Sequence, residues 1–563
     1  MSRELAELIF PKVTRSTSEY EKLYPLRLDA KGKQQCCVRF APSPTGFLHI
    51  GAIYTALINR LFADHNDGVF LLRIEDTDQK RSVPGAVEEI ISSFALFNIK
   101  VDEGATSSAS SKGEYGPYFQ SQRKEIYEAF AKELVARGDA YPCFCSPEDL
   151  EEMRQRQMET KSPVMGYAES DARCRQLSSE EQIARIKRGD DYIIRLRSRG
   201  SHEQTRVFTD GLRGELEMPV NNQDIVIIKA DGLPTYHFAH SVDDHLMRTS
   251  HVIRADEWVS SLPIHVELFE IQGFDLPEFI HLSPILKQDG NSRRKLSKRL
   301  DPEAKASYYI EVGYPLPAVK DYLMNIANSN YEDWRRDYPD ADIGDFPFDI
   351  YKTSVSGALF DFDKLGNIAK KYVGSMSEAD IIAAYSEWLQ ADLDTDENRD
   401  SRQLMRNWLQ EHRADFEHSI TIWHEGRLDV AKWSDIYENY PYLYDRSFSG
   451  RTPTLPEDFV EHKDDVISIL QAYLQSYEHS DDNSTWFSKV RQIAVQFNYA
   501  AKPKEYKKNP EQYNGSIVHV SSYIRFAITH ELNTPDLHSM IQFIGEEEMR
   551  LRVEKMISIF SEL

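Results

Sequence analysis

One ordered run near the start of this 563-residue chain constrains its fold most: strand, glycine-containing turn, helix, strand. Cys36–Ala41 (CCVRFA) reads as a short buried strand. Pro42–Gly46 (PSPTG) is a turn by its Pro and Gly content. Ile53, Leu57 and Leu61 then fall at helical spacing. Val69–Asp76 (VFLLRIED) reads as a second strand. That order is the βαβ unit of a parallel α/β sheet. The pattern resumes downstream at Ile225–Ala230, His251–Arg254 and Phe279–Leu282. Residues 105–225 look different, with helical stretches, three of the five Cys and a β-like segment at Tyr192–Arg197. The expected architecture is therefore an α/β domain of Rossmann type, split by a connective insertion. From residue 303 onward the reading is almost wholly helical, with no internal repeat. Asp337–Asp349 and the acidic Asp392–Asp400 break it as loops, the second a solvated one.

Composition bounds the function classes. The length exceeds that of one compact domain, so several structural units are expected. Hydrophobic residues make up 41%, including 27 Phe and 29 Tyr, which suits packed cores rather than disorder. No apolar run reaches the roughly 18 residues of a membrane span. Residues 1–35 carry five acids among seven basic residues and no long apolar stretch, unlike a secretory signal. Five Cys make no disulfide framework, and a reducing cytoplasm is the simplest setting. The formal charge of −24 argues against a protein that coats nucleic acid. It leaves room for a local basic surface.

Two short segments carry chemistry. His49-Ile50-Gly51 sits where the first strand's turn enters the helix. There, backbone N–H groups face outward, glycine allows close approach of a phosphate, and an imidazole can stabilise developing charge. Lys295-Leu296-Ser297-Lys298-Arg299 follows the turn QDGNSRR, and six of the 13 residues from Lys287 to Arg299 are basic. Such a loop can close over phosphates, although a plain RNA-touching basic loop has the same composition. A third group lies at strand ends: Arg39, Glu75 and Arg254. Two arginines and an acid are the minimal complement for two carboxylates and an ammonium.

These segments resemble glutamyl-tRNA synthetases. Arg39–Ala52 (RFAPSPTGFLHIGA) is similar to the HIGH motif of class I aminoacyl-tRNA synthetases in its glutamyl version. KLSKR is similar to the KMSKS loop. Ala52 stands where HIGH ends in His. Leu296 and Arg299 replace Met and Ser of the second motif. The resemblance implies ATP-dependent activation of L-glutamate and its transfer to the terminal adenosine of tRNA(Glu), with Mg²⁺ accompanying ATP. It implies catalytic roles for His49, Gly51, Lys295 and Lys298, with Glu257 and Leu286 near the nucleotide. Arg39 would hold the substrate's side-chain carboxylate with Tyr236. Glu75 would hold the amino group, near Ala41 and Ser43. Arg254 would hold the α-carboxylate, and His240 stands where several members have Asn. Glutaminyl-tRNA synthetase shares this architecture, but its motif reads Glu-Pro-Asn where this chain has Ser43-Pro44-Thr45.

Further expectations follow from the resemblance. Residues 1–35 form an N-terminal extension. The catalytic domain spans 36–115 and 226–290, interrupted by the acceptor-binding insertion 116–225. A KMSKS and stem-contact region covers 291–375, and an all-α anticodon-binding region covers 376–563. Within the latter, Lys489–Lys508 holds six basic residues and one acid, with Phe497, Tyr499 and Tyr506 interleaved for stacking on bases. Cys143, Cys145 and Cys174 are three soft ligands for zinc, with Tyr167 as the fourth by resemblance; three reduced thiols are the alternative. A cytoplasmic monomer without membrane contact is expected.

Overall fold

The computed structural model describes residues 2–78, 80–297, 299–393, 398–424, 429–445 and 447–563. Lys298 and part of the acidic Asp392–Asp400 stretch lie outside the described residues. The chain divides into two compact units. One comprises Met1–Tyr308 and Lys320–Asp361, the other Tyr309–Val319 and Phe362–Leu563.

The first unit is built on the expected βαβ run. Strand β1 (Cys37–Phe40) pairs parallel with β2 (Val69–Leu72), Cys37 opposite Val69 and Arg39 opposite Leu71. The helix Ile50–His65 crosses between them. All four β1 residues are buried, the pattern of a parallel strand covered on both faces. The second strand is shorter than its hydrophobic run, because Ile74 already leaves β2 to bridge Phe119. β3 (Glu103–Ala105) continues the parallel sheet and β4 (Ser111–Lys112) closes its edge antiparallel.

The intervening segment forms its own antiparallel sheet. Within it, β5 (Ala140–Cys143) pairs with β6 (Ile193–Leu196), and a hairpin of β7 (Thr205–Asp210) and β8 (Gly214–Pro219) stands apart. β9 (Val226–Ile228), expected to resume the parallel α/β pattern, instead pairs antiparallel with β6. An apolar run records burial and not pairing direction, so this strand's partner was invisible in the sequence. The helix Tyr236–Leu246 follows, then β10 (His251–Ala255) and β11 (Glu278–Leu282), parallel with Arg254 opposite His281. A last small sheet places β12 (Ile285–Asp289) between antiparallel β13 (Ser292–Lys295) and parallel β14 (Ala358–Leu359).

The second unit is helical, as expected, around an aromatic core that includes Tyr385, Phe416, Trp423 and Tyr444. Buried Arg402 donates to the carbonyls of Trp388, Leu389 and Ala391, satisfying the open end of the helix Glu378–Gln390. The Lys489–Lys508 stretch is less available than its composition suggests. Tyr499 is buried and donates to Asp465, and Lys489 pairs with Asp481 and Glu478. Lys502, Lys504, Lys507 and Lys508 remain exposed on and beside the short helix Pro503–Lys508.

Candidate active site

Strand ends, helix starts and the open end of the β12–β13 hairpin, Ile285 and Lys295–Leu296, converge on a cavity of about 910 Å³ in the first unit. Arg39, Ala41, Ser43, His49, Gly51, Glu75, Tyr236, Arg254, Glu257 and Lys295 all line it, although the sequence spreads them over more than 250 positions. His240 and Leu286 do not line it. His240 is fully buried behind Tyr236, its ring stacked on the tyrosine at 5.8 Å. Leu286 sits in β12, where its carbonyl accepts from Phe360 N–H.

The polar floor is one buried network of charge. Arg39 Nε donates to both Asp244 carboxylate oxygens at 3.2 Å. Arg73 Nη1 reaches Asp244 Oδ1 at 2.7 Å, and Nη2 reaches Glu75 Oε1 at 3.1 Å. Asp243 next door takes Arg123, Gln120 and Tyr127. Burial works to raise the Asp244 carboxyl, but Arg39 and Arg73 outweigh it and hold it well below the usual range. Glu75 goes the other way. Burial lifts its carboxyl to about 7 against the pull of Arg73 and Arg39. A cation arriving in the cavity would draw it back down.

Arg254 has two unsatisfied nitrogens facing this network. Its Nε donates to His281 Nε2 at 3.0 Å. Its Nη1 and Nη2 are buried with no hydrogen-bond partner among the described residues. Burial lowers its pKa to about 10, still fully cationic at neutral pH. Two orphaned N–H faces on a buried guanidinium fit a carboxylate that the protein itself does not supply.

The two sequence signatures meet through His49. As the N-cap of the helix Ile50–His65, its Nδ1 accepts from Gly51 N–H at 2.9 Å. The ring proton of the neutral imidazole is therefore on Nε2, which lies 3.2 Å from the Leu296 carbonyl. A Cβ at position 51 would stand 3.1 Å from His49 Nδ1, so glycine keeps this contact open. Lys295 contacts Glu257 across the rim. The basic loop carries less free charge than its sequence suggests, since Lys287 pairs with Asp301 and Glu303, and Arg294 with Asp301 and Asp289.

Several cavity residues were not singled out in the sequence: Thr77, Asp78, Lys229 and Trp258. His237 lines the cavity as well, its Nδ1 2.9 Å from Nε2 of His265 behind it, and Asp244 lies 2.8 Å from His240 Nδ1 but outside hydrogen-bond angles. The i, i+4 spacing of His240 and Asp244 was the one available signal for this layer.

A second site lies away from the cavity. The Cys143, Cys145 and Cys174 sulfurs all lie within 4.8 Å of one another, with Cys145 and Cys174 3.6 Å apart. Tyr167 Oη is 3.4 Å from both Cys143 and Cys145. A tetrahedral zinc with bonds of about 2.3 Å to sulfur separates its ligand atoms by roughly 3.5–3.8 Å. The cluster could bind zinc.

Comparison with known proteins now places the chain. Residues 35–333 match the family "tRNA synthetases class I (E and Q), catalytic domain". The chain is thus a class I tRNA synthetase of the glutamate and glutamine group. It is 44% identical over 561 residues to a glutamate–tRNA ligase of Clostridium perfringens, covering 99% of both chains. It is equally 44% identical over 559 residues to the glutamate–tRNA ligase of Acetivibrio thermocellus, covering 99% of this chain and 100% of that one. Its fold is similar to the crystal structure of a glutamate–tRNA ligase from Elizabethkingia meningosepticum in complex with its amino acid. The TM-score there is 0.68 at 27% identity, covering 93% of this chain and 99% of that one. The chain belongs to the glutamate–tRNA ligase family.

Asp244 is the residue the pocket floor leans on. Asp244→Asn should lower unfolding stability by about 3–5 kcal/mol, because two buried guanidiniums lose their shared counter-charge. Urea denaturation followed by fluorescence reads this, and an unchanged midpoint would refute the assignment.

Proposed function

We propose that the cavity activates L-glutamate with ATP and passes it to the terminal adenosine of tRNA(Glu), with the roles assigned residue by residue as follows. The observation that carries the reading is the buried, unpartnered pair of nitrogens on Arg254 opposite the Arg39–Glu75 wall. Arg254 takes the α-carboxylate, which aims it at the nucleotide. Arg39, anchored through Nε, takes the side-chain carboxylate with Tyr236 beside it. Glu75 takes the ammonium, with Ala41 and Ser43 at the rim. Three charged groups held at fixed separations match a substrate with two carboxylates and one ammonium.

His49, Gly51, Lys295 and Lys298 serve the phosphates, and Glu257 borders the nucleotide. Mg²⁺ travels with ATP. No enzyme nucleophile is needed: the substrate carboxylate attacks the α-phosphate, and the protein supplies position and charge. His49 Nε2–H, now spent on the Leu296 carbonyl, is the donor that can turn to a phosphate oxygen when the loop shifts. His240 supports Tyr236 from behind.

Residues 116–225 would receive the acceptor end. Residues 376–563 would read the anticodon, with Lys502, Lys504, Lys507 and Lys508 as the exposed basic contacts. The five free cysteines suit a reducing cytoplasm, and no helix among the described residues is long and apolar enough to cross a membrane. A monomer suffices for this reading.

Aminoacylation with glutamate or glutamine against separately purified tRNA(Glu) and tRNA(Gln) is the direct test. Glutamate on tRNA(Glu) is the expected product. Preferential use of glutamine would overturn the assignment of Arg39. Lys298→Ala should keep the fold and slow ATP–pyrophosphate exchange by well over tenfold, the scale of one lost transition-state charge contact. A near-normal rate would remove Lys298 from the chemistry. Cys143, Cys145, Tyr167 and Cys174 would hold one structural zinc that fixes the segment around β5. Metal analysis of the purified protein should give close to one zinc per chain, and chelation should lower its melting temperature. A content far below that would leave three reduced thiols.

A further inference from the structure

The Arg254 guanidinium does not stand alone. Its Nε–H points at His281, directly across the β10–β11 pair. His281 is fully buried, and its other ring nitrogen, Nδ1, lies 2.6 Å from Asp210 Oδ2. Asp210 is buried too, at the tip of the β7–β8 hairpin. Its second oxygen, Oδ1, accepts the backbone N–H groups of Leu212 and Arg213 at 3.0 and 2.8 Å. The hairpin turn is pinned in turn to β11 by Gly211 N–H on the Phe279 carbonyl at 2.8 Å. Arg213 reaches Ser283 Oγ at 3.2 Å.

Proton counting gives this chain one direction. Arg254 is always protonated, so its Nε is a donor. His281 Nε2 must therefore carry a lone pair, and a neutral ring then carries its proton on Nδ1. Asp210 is the acceptor that holds it there. With Nε committed to His281, the guanidinium plane is fixed and only Nη1 and Nη2 remain for a ligand.

We infer that Asp210 and His281 are positioning residues for the substrate α-carboxylate: the aspartate sets the histidine tautomer, and the histidine sets the direction of Arg254. This rests on the reading that Arg254 holds that carboxylate. It makes the hairpin tip, a segment of the insertion, part of the amino-acid site without touching the substrate.

Asp210→Asn tests it with almost no change in shape. The two backbone N–H groups keep the amide oxygen on their side, so the new NH₂ must face His281 Nδ1. The ring proton is then driven to Nε2, against the Arg254 Nε–H. The KM for glutamate in aminoacylation should rise by about tenfold or more, the scale of a lost charge-assisted hydrogen bond. The KM for ATP should stay unchanged. In histidine-labelled enzyme, the ¹⁵N shifts of His281 should report the Nδ1–H tautomer in the parent and Nε2–H in D210N. That parent measurement needs no variant to fold, and an Nε2–H tautomer there would overturn the inference. So would an unchanged glutamate KM in D210N while Arg254→Lys raises it, an outcome that leaves the role of Arg254 intact. If Arg254→Lys itself leaves the glutamate KM alone, the α-carboxylate reading fails first and the relay has nothing to position.

Discussion

The buried carboxylate of Asp244 is the interaction on which the first unit depends. It accepts from Arg39 on β1 and Arg73 just past β2, from the helix Tyr236–Leu246. Two sheet elements and a distant helix are therefore clamped at one point. Taking these ions from water is expensive, and a buried pair often adds little net stability over apolar packing. What the network supplies is geometry. Asp243 repeats the device one residue earlier, on Arg123, and both aspartates approach Arg73, so consecutive positions of one helix serve one connected network. Arg39 keeps Nε on this anchor while its side chain lines the cavity, which gives a ligand-facing guanidinium little freedom to relax away.

A second economy lies in His49. Its Nδ1 closes the first turn of a helix and its Nε2 contacts the loop of the other signature. One imidazole thus couples the two sequence signatures at the edge of the cavity. Because Nδ1 is spent on Gly51, the free proton can only be on Nε2, and the ring is preset as a donor. The pairing of Lys287 and Arg294 with Asp301 works in the same sense. It ties the basic side chains of the loop's stem into ion pairs, as Glu257 does for Lys295.

Much of the site was legible because its residues sit in short, ordered segments. The strand, turn and helix around Pro42–Gly46 place Arg39, Ser43, His49 and Gly51 by local rules alone. The support behind them was not legible. Arg39 and Asp244 are 205 positions apart, and Arg73 and Asp244 are 171 apart, so nothing local marks them as partners. For the same reason His240 reads as a pocket residue but packs behind Tyr236. Tyr499 reads as a base-stacking aromatic, but it spends its hydroxyl on Asp465 in the core. Pairing direction also escaped, since Val226–Ile228 looks alike in a parallel and an antiparallel sheet. The family resemblance supplied glutamate, a choice that spacing could not have made.

The choice of arginine for the cavity's buried cationic groups, Arg39 and Arg254, then has a physical reason. Around Tyr236 lie three histidines, and burial lowers their pKa values, to about 4 for His237 and about 3 for His240, and well below the ordinary value for His265. These rings stay neutral across the physiological range and add no charge of their own. Lysines in the same dry setting would lose protons more readily. Guanidiniums do not, and their planar forks meet a carboxylate with two parallel bonds. Arg254, lowered only to about 10, remains a cation, with Tyr236 beside it helping to hold its charge. The buried positive charge of the cavity is therefore charge that pH cannot remove. Glu75, lifted to about 7, is the member of the wall that titrates near neutrality, and any cation beside it favours its ionised form.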